Sequence, residues 1–396
     1  MSKKNIEEVN PSIETFANIK VVGVGGSGGS AVNRMVSSKI RGVEFIAVNT
    51  DAQALHHSIA PHKIHIGRDT TRGLGAGMDP DLGSKSAEEN ESDIMSALEG
   101  ADMVFITCGL GGGTGTGAAP IIADIAREAG ALTVAVVTRP FTFEGVQRRD
   151  ISERGLDRLI DKVDTIITIP NDRLLQIIDK KTSLLEAFSI VDEVLKQGVQ
   201  GISELITVPG LVNVDFADVK AIMRQAGSAL MGIGRAAGEN RATEAARAAI
   251  DSPLLELSIN GATGVLFTIA GSSDLSMFEV NEAAEVITSA CDPEAKVIFG
   301  AVIDESLGEE VKVTVIATGF REHNEKSQHI SQERISMPAQ PNISYQETYA
   351  KKAEERTIKK AFNKPEEDEI IEETPKSDEE EELEIPAFLR KKMKDR

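Results

Sequence analysis

The sequence of 396 residues predicts an α/β fold. A doubly wound, mostly parallel sheet comes first, then a long central helix, then a second α/β domain and an acidic C-terminal linker. Three observations carry this. Short apolar runs alternate with helical patterns along the first 170 residues, which is the signature of a parallel sheet with crossover helices. Two of those runs end in glycine clusters that open helices. From about residue 324 the composition turns polar and then acidic, with little periodicity.

Taken in order, residues 1–16 are polar and expected to be loose. Ile19 to Val24 reads as a buried strand, followed by the glycine turn 25–30 and a helix from Ala31. Further strands are expected at 44–50, 101–107, 132–138 and 166–171. From Ser183 to Ile206, Leu184, Leu185, Phe188, Val191, Leu195, Ile202 and Leu205 recur at helical spacing and must face a core. The later part predicts helices near 219–236, 241–250 and 278–290, with strands at 263–270, 296–303 and 311–318. Beyond that, the acidic run Glu366–Glu384 leaves too little apolar area to fold. The stretch from Glu384 onward differs again: Ile385, Phe388 and Leu389 share one helical face before a basic cluster, the pattern of a peptide that folds onto a partner.

The most informative stretch is 109–117, in which six of nine residues are glycine and the others include Thr114 and Thr116. An apolar strand precedes it. The helix expected after it, from Ala118, carries Pro120 in its first turn, where a missing N–H costs nothing. Glycines between a strand and a helix let a ligand approach the main chain. Free N–H groups at a helix start point one way, and the dipole adds about half a positive charge. The chain lacks Gly-x-x-x-x-Gly-Lys-Ser/Thr, so the site is not a P-loop of the usual kind. Gly23, Gly25 and Gly28, with Asp51 beyond the next strand, also satisfy the dinucleotide fingerprint, which leaves the second glycine stretch unexplained.

Composition excludes several classes. A net charge of −20 argues against nonspecific nucleic-acid binding. No apolar run reaches the length of a membrane span, and the N-terminus lacks the apolar core of a signal peptide, so a cytoplasmic protein is expected. Cys108 and Cys291 are expected as buried free thiols, one disulfide being the alternative. His56, His57, His62 and His65 cluster without carboxylates or cysteines at ligand spacing, so exposed loop histidines are expected and no metal ligand is assigned. Glu144 and Arg148 are spaced as an i,i+4 ion pair and are also suited to a ribose hydroxyl and a phosphate. Phe188 and Asp192 are one helical turn apart and share a face. Asn213, Asp215 and Asp218 crowd one loop, with Asp215 placed to cap the next helix.

GGGTGTG at 111–117, PFTFEG at 140–145 and NVDFADV at 213–219, in that order, resemble the tubulin/FtsZ family of GTPases. The resemblance covers residues 17–320 and the last dozen. It implies a Rossmann-like GTP-binding domain (17–182), a central helix (183–207), a C-terminal α/β domain with the catalytic loop (208–320), a linker (321–383) and a partner-binding peptide (384–396). GTP or GDP is then the ligand. Gly26, Ser27, Gly28, Gly29, Ser30, Gly113, Thr114 and Gly115 would cradle its phosphates, and the loop 67–85 would reach the γ-phosphate. Glu144 and Arg148 would hold ribose and phosphate, and Phe188 and Asp192 would read guanine. Asn213, Asp215 and Asp218 would complete the site of the next subunit in a head-to-tail filament, with Mg²⁺. Family members commonly carry Asn at Gly29 or Ser30, so a base contact is expected to be missing there. The resemblance further implies a mid-cell division ring, with membrane tethers and regulators bound by the C-terminal peptide.

Overall fold

The computed structural model describes residues 17–176, 181–207, 210–212, 214–252 and 259–320, all within the first compact unit of the chain, residues 1–323. The expected linker and terminal peptide lie outside the described residues.

The first part runs β1 (Ile19–Val24), α1 (Gly25–Ser37), β2 (Val43–Asn49), α2 (Ala52–His57), β3 (His62–His65), α3 (Arg68–Thr71), α4 (Pro80–Glu89), α5 (Glu91–Leu98) and β4 (Met103–Gly109). It continues with α6 (Thr114–Glu128), β5 (Leu132–Arg139), α7 (Val146–Ile160), β6 (Thr165–Pro170) and α8 (Asn171–Leu174). The long α9 (Leu184–Thr207) and α10 (Phe216–Met223) lead into β7 (Gly227–Ala237), α11 (Arg241–Ile250), β8 (Gly264–Gly271), α12 (Met277–Ser289), β9 (Lys296–Ile303) and β10 (Glu310–Thr318).

The strands form one sheet in the order β3-β2-β1-β4-β5-β6-β7-β10-β8-β9. From β3 to β7 every pairing is parallel, as the alternating pattern requires. β10 is antiparallel to both β7 and β8. Because β4 lies beside β1, the strand order reverses there, and such a switch point opens a crevice at the carboxyl edge.

α9 crosses this sheet. Its buried Val191, Val194, Leu195, Val199, Ile202 and Leu205 share one core with β5, β7 and β10 residues such as Val136, Met231 and Ile316, whereas Leu185 and Phe188, expected to face a core, are exposed. Small residues allow the approach: a methyl on Gly201 would sit 3.0 Å from Thr314 Cγ2. On the opposite face, α5 and α6 cover β4 and β5 through Ile94, Leu98, Ile122 and Ala126.

The helix expected across 219–236 is two elements. α10 ends at Met223, and Gly227–Ala237 is strand β7. The alanine- and glycine-rich composition mimics a helix, yet burial alternates. Ala229 and Met231 face the α9 core, whereas Leu230 and Ala236 pack against the core of α11 and α12. Helix α6 also differs, since it begins at Thr114 and Pro120 lies in its interior rather than its first turn. The glycines explain the early start. A methyl on Gly117 would collide with the Pro80 carbonyl and one on Gly83 with that of Gly113, so α4 docks against α6 only because both are bare.

Candidate functional site

A cleft of about 430 Å³ opens at the carboxyl edge of the parallel strands. Of the residues nominated from sequence, Gly26, Ser27, Ser30, Gly113, Thr114, Gly115, Glu144, Arg148, Phe188 and Asp192 line it. Two helix starts meet there. α1 begins at Gly25 with φ +73°, and neither its N-cap, Val24, nor that of α6, Gly113, supplies a side-chain cap. The first N–H groups of both helices therefore lack intrahelical and side-chain acceptors, which suits an anion.

The nominated glycines divide by side. Gly28 does not line the cleft. A methyl there would strike the Thr107 carbonyl, so this glycine holds α1 close to β4. Gly29 faces a separate hollow of about 220 Å³ beside β2 and α2, and nothing lies within 4 Å of a methyl built on it. Gly113 lines the cleft, but its N–H donates to the Gly77 carbonyl at 2.8 Å. It thus ties the loop after α3 to the glycine turn. Thr116 is structural: its Oγ1 accepts from Gly111 N–H at 2.9 Å.

On the next wall, Phe141 N–H donates to Glu144 Oε1 at 2.9 Å, and Arg148 Nη1 donates to Glu144 Oε2. The i,i+4 pair forms, and both of its members also face the cleft. Phe188 is 40% exposed and packs edge-on to Phe141, ring centres 5.8 Å apart, so one ring face stays available. One turn later, burial pushes the Asp192 carboxyl up to about 6, with the Arg34 charge opposing the shift. That carboxylate is poorly solvated and open to donors from a ligand.

Sequence reasoning missed Asn171 and Thr138, which also line the cleft. Asn171 is 5% exposed, and its Oδ1 finds no hydrogen-bond partner among the described residues. Both sit where a parallel strand ends, Thr138 within β5 and Asn171 just after β6, so the carboxyl-edge rule was the signal available.

Asp215 and Asp218 are exposed and do not line the cleft. Asp215 occupies the N-cap position of α10 with extended backbone, yet its carboxylate makes no capping bond, contrary to expectation. Asn213 lies outside the described residues. Asp51 caps α2 instead of facing a ribose, accepting from Gln53 N–H at 2.8 Å and Ala54 N–H at 3.0 Å. The dinucleotide fingerprint thereby loses its acidic partner. The histidines are not all in exposed loops: His56 and His57 lie on α2, and His62 and His65 on edge strand β3, with His65 half-buried. Both cysteines are free; Cys291 is only half-buried, contrary to expectation, whereas Cys108 is buried beneath the start of α6, and burial pushes its thiol up to about 12.

These features define a phosphate-binding α/β protein of the doubly wound class. Residues 18–179 match the GTPase domain of the Tubulin/FtsZ family, and residues 227–321 match the C-terminal domain of the FtsZ family. A point mutant of FtsZ from M. jannaschii is 48% identical over 78% of this chain and 92% of its own, with a TM-score of 0.75. An empty FtsZ dimer from the same organism is 46% identical over 83% and 96%, with a TM-score of 0.76. CetZ2 from Haloferax volcanii, solved as a GTPγS-bound protofilament, is 22% identical over 87% and 99%, with a TM-score of 0.67, and shares the fold. The chain belongs to the tubulin/FtsZ family of GTPases.

Proposed function

We propose that this GTPase assembles head to tail into filaments of a bacterial division ring and hydrolyses GTP where subunits meet. The observation carrying this reading is a separation. One cleft gathers the uncapped starts of α1 and α6, the Glu144–Arg148 pair, Phe188 and Asp192, while Asp215 and Asp218 stay exposed outside it. A second copy would bring those carboxylates to the γ-phosphate. A pole-to-pole contact of that kind is heterologous and builds a filament when it does not close.

In this reading the free N–H groups of Gly26, Ser27, Thr114 and Gly115 bind the phosphates, with Ser30 beside them. Hydrogen bonds to a charged group contribute about 1.5–3 kcal/mol each, so a few suffice without a lysine. Glu144 accepts from ribose hydroxyls while orienting Arg148. Phe188 covers the base. Asp192 accepts from guanine N1–H and the 2-amino group, and Asn171 supplies a further contact. Adenine offers no such donor pair, so a buried carboxylate rejects it. Asn213, Asp215 and Asp218 orient and polarise the attacking water on the neighbour's nucleotide.

Mg²⁺ would neutralise phosphate charge. Among the described residues no cluster of three acidic, histidine or cysteine ligands exists, and this cation is commonly held by phosphates and water with few protein ligands. The terminal peptide, with Ile385, Phe388 and Leu389, would recruit membrane tethers. No described helix is long and apolar enough to cross a membrane. A filament role outside division is the alternative; the FtsZ C-terminal domain match favours division.

Asp215→Ala is the test. GTP should still bind, while phosphate release per subunit falls by about 100-fold or more, the scale on which loss of a catalytic acid–base group acts. Loss of GTP binding would instead place Asp215 in its own subunit's pocket.

A further inference from the structure

Thr50 lies behind the cleft, fully buried, and does not line it. Its Oγ1 is 2.6 Å from the Oγ1 of Thr114, which does line it. The segment holding Thr50 also contacts the end of α3 and the loop after it. Thr71 Oγ1 lies 3.3 Å from the Thr50 carbonyl, and Ala52 N–H donates to the Gly73 carbonyl at 3.1 Å. The same loop reaches the second glycine turn through the bond from Gly113 N–H to the Gly77 carbonyl at 2.8 Å. Three segments thus form a closed triangle, with Thr50 and Thr114 joining two of its corners by side chains.

The direction of that hydroxyl contact follows from burial. A buried hydroxyl hydrogen without an acceptor costs about 1–3 kcal/mol. Among the described residues Thr114 Oγ1 is the acceptor in reach of the Thr50 hydroxyl, whereas Thr114 faces an open cleft. Either hydroxyl could donate on distance alone, and burial assigns the donor role to Thr50. Thr114 Oγ1 accepts, and its own hydrogen turns toward the cleft.

We propose that Thr50 is a positioning residue that aims the Thr114 hydroxyl at the bound phosphate chain and couples that aim to the loop at Thr71–Gly77. The proposal rests on the guanine-nucleotide reading of the cleft. Thr50→Val keeps shape and removes the donor, and Thr50→Ser keeps the donor.

The experiment is a double-mutant cycle on the full chain. Dissociation constants for GDP and for a non-hydrolysable GTP analogue are measured for wild type, Thr50→Val, Thr114→Val and the double variant, with thermal unfolding in parallel. Each single change is expected to weaken binding about tenfold, and the double no more than either single, because both remove one oriented bond. Thr50→Ser should bind as wild type. Independent losses that multiply to about a hundredfold, or a Thr50→Val that binds normally, would overturn the relay. If Thr50→Val does not fold, Thr50→Cys replaces it: its thiol is a poor donor of similar size, so the tenfold loss is still expected, and full affinity would refute the proposal. Failure of the wild type to bind either nucleotide would refute the reading of the cleft instead.

Discussion

The half of the sheet from β1 to β6 and the half from β7 to β10 both depend on glycine, and they use it differently. In the first half glycine opens helices at the carboxyl edge, where bare backbone frees N–H groups and leaves room for a ligand. In the second half it sits inside a strand. A methyl on Gly232 would meet the Ala249 carbonyl and one on Gly234 the Ala245 carbonyl, so the glycines of β7 let α11 lie directly on the sheet. The first half uses glycine at the cleft as well as for packing, as at Gly28 and Gly117, and in β7 glycine serves packing. At the cleft the starts of α1 and α6 carry no side-chain cap, whereas α12 in the second half closes its own. Ser276 accepts from Glu279 N–H at 3.2 Å, and the Glu279 carboxylate returns to Ser276 N–H at 2.8 Å, a closed capping box on α12.

Substitutions can break this comparison. The largest effect belongs to Arg241→Ala in the second half. Its buried guanidinium donates to Glu279 at 2.7 Å and pairs with Asp274 at 3.0 Å. Removing it deletes the charged bond to Glu279, while both carboxylates keep their serine partners, and costs about 1.5–3 kcal/mol, read by denaturant unfolding. Nucleotide affinity of the folded fraction should stay unchanged; a change would show that the halves are not separable. Gly234→Ala and Gly28→Ala come next, each expected to cost about 1–3 kcal/mol by overpacking against backbone. Only Gly28→Ala should also weaken nucleotide binding, since it pushes α1 off β4.

The third effect is a pH dependence. Burial raises the Asp192 carboxyl from its ordinary 3.8 to about 6. In the free protein this group therefore favours the fold most below its ordinary value, and that contribution is lost as pH rises through about 6. A ligand that needs the ionised form behaves oppositely. Guanine-nucleotide affinity should rise as pH rises through about 6 and be roughly tenfold weaker one unit below it. Titration of a fluorescent guanine nucleotide between pH 5 and 8 measures this, and a flat profile would remove Asp192 from base recognition. The smallest effect is Gly29→Ala. With open space around it in a helix, it should stabilise by about 0.5–1 kcal/mol and leave binding intact, which separates Gly29 from its neighbours in the turn.

The two glycine turns, the parallel character of the first half and the core-facing residues of α9 from Val191 onward were legible in the sequence. Alternation of apolar runs, glycine position and a 3.6-residue repeat are local properties. The same holds for Phe188 and Asp192, which one helical turn brings together whatever surrounds it; Glu144 reaches Arg148 by another route, since it ends a 3-10 turn and Gly145, with φ +99°, separates it from α7. Residues 227–237 were illegible for the converse reason. Their small side chains suit a helix in isolation, and the strand forms because β6, β10 and α11 supply hydrogen bonds and packing from distant parts of the chain. Only the tertiary structure decided which glycines of the first turn face the cleft, that Gly113 gives its N–H to Gly77, and that Asn171 brings to the site an oxygen unpaired among the described residues. It alone left Asp215 uncapped and exposed. These depend on which side of an element meets which neighbour, and that is set by long-range packing rather than by any residue's own preference.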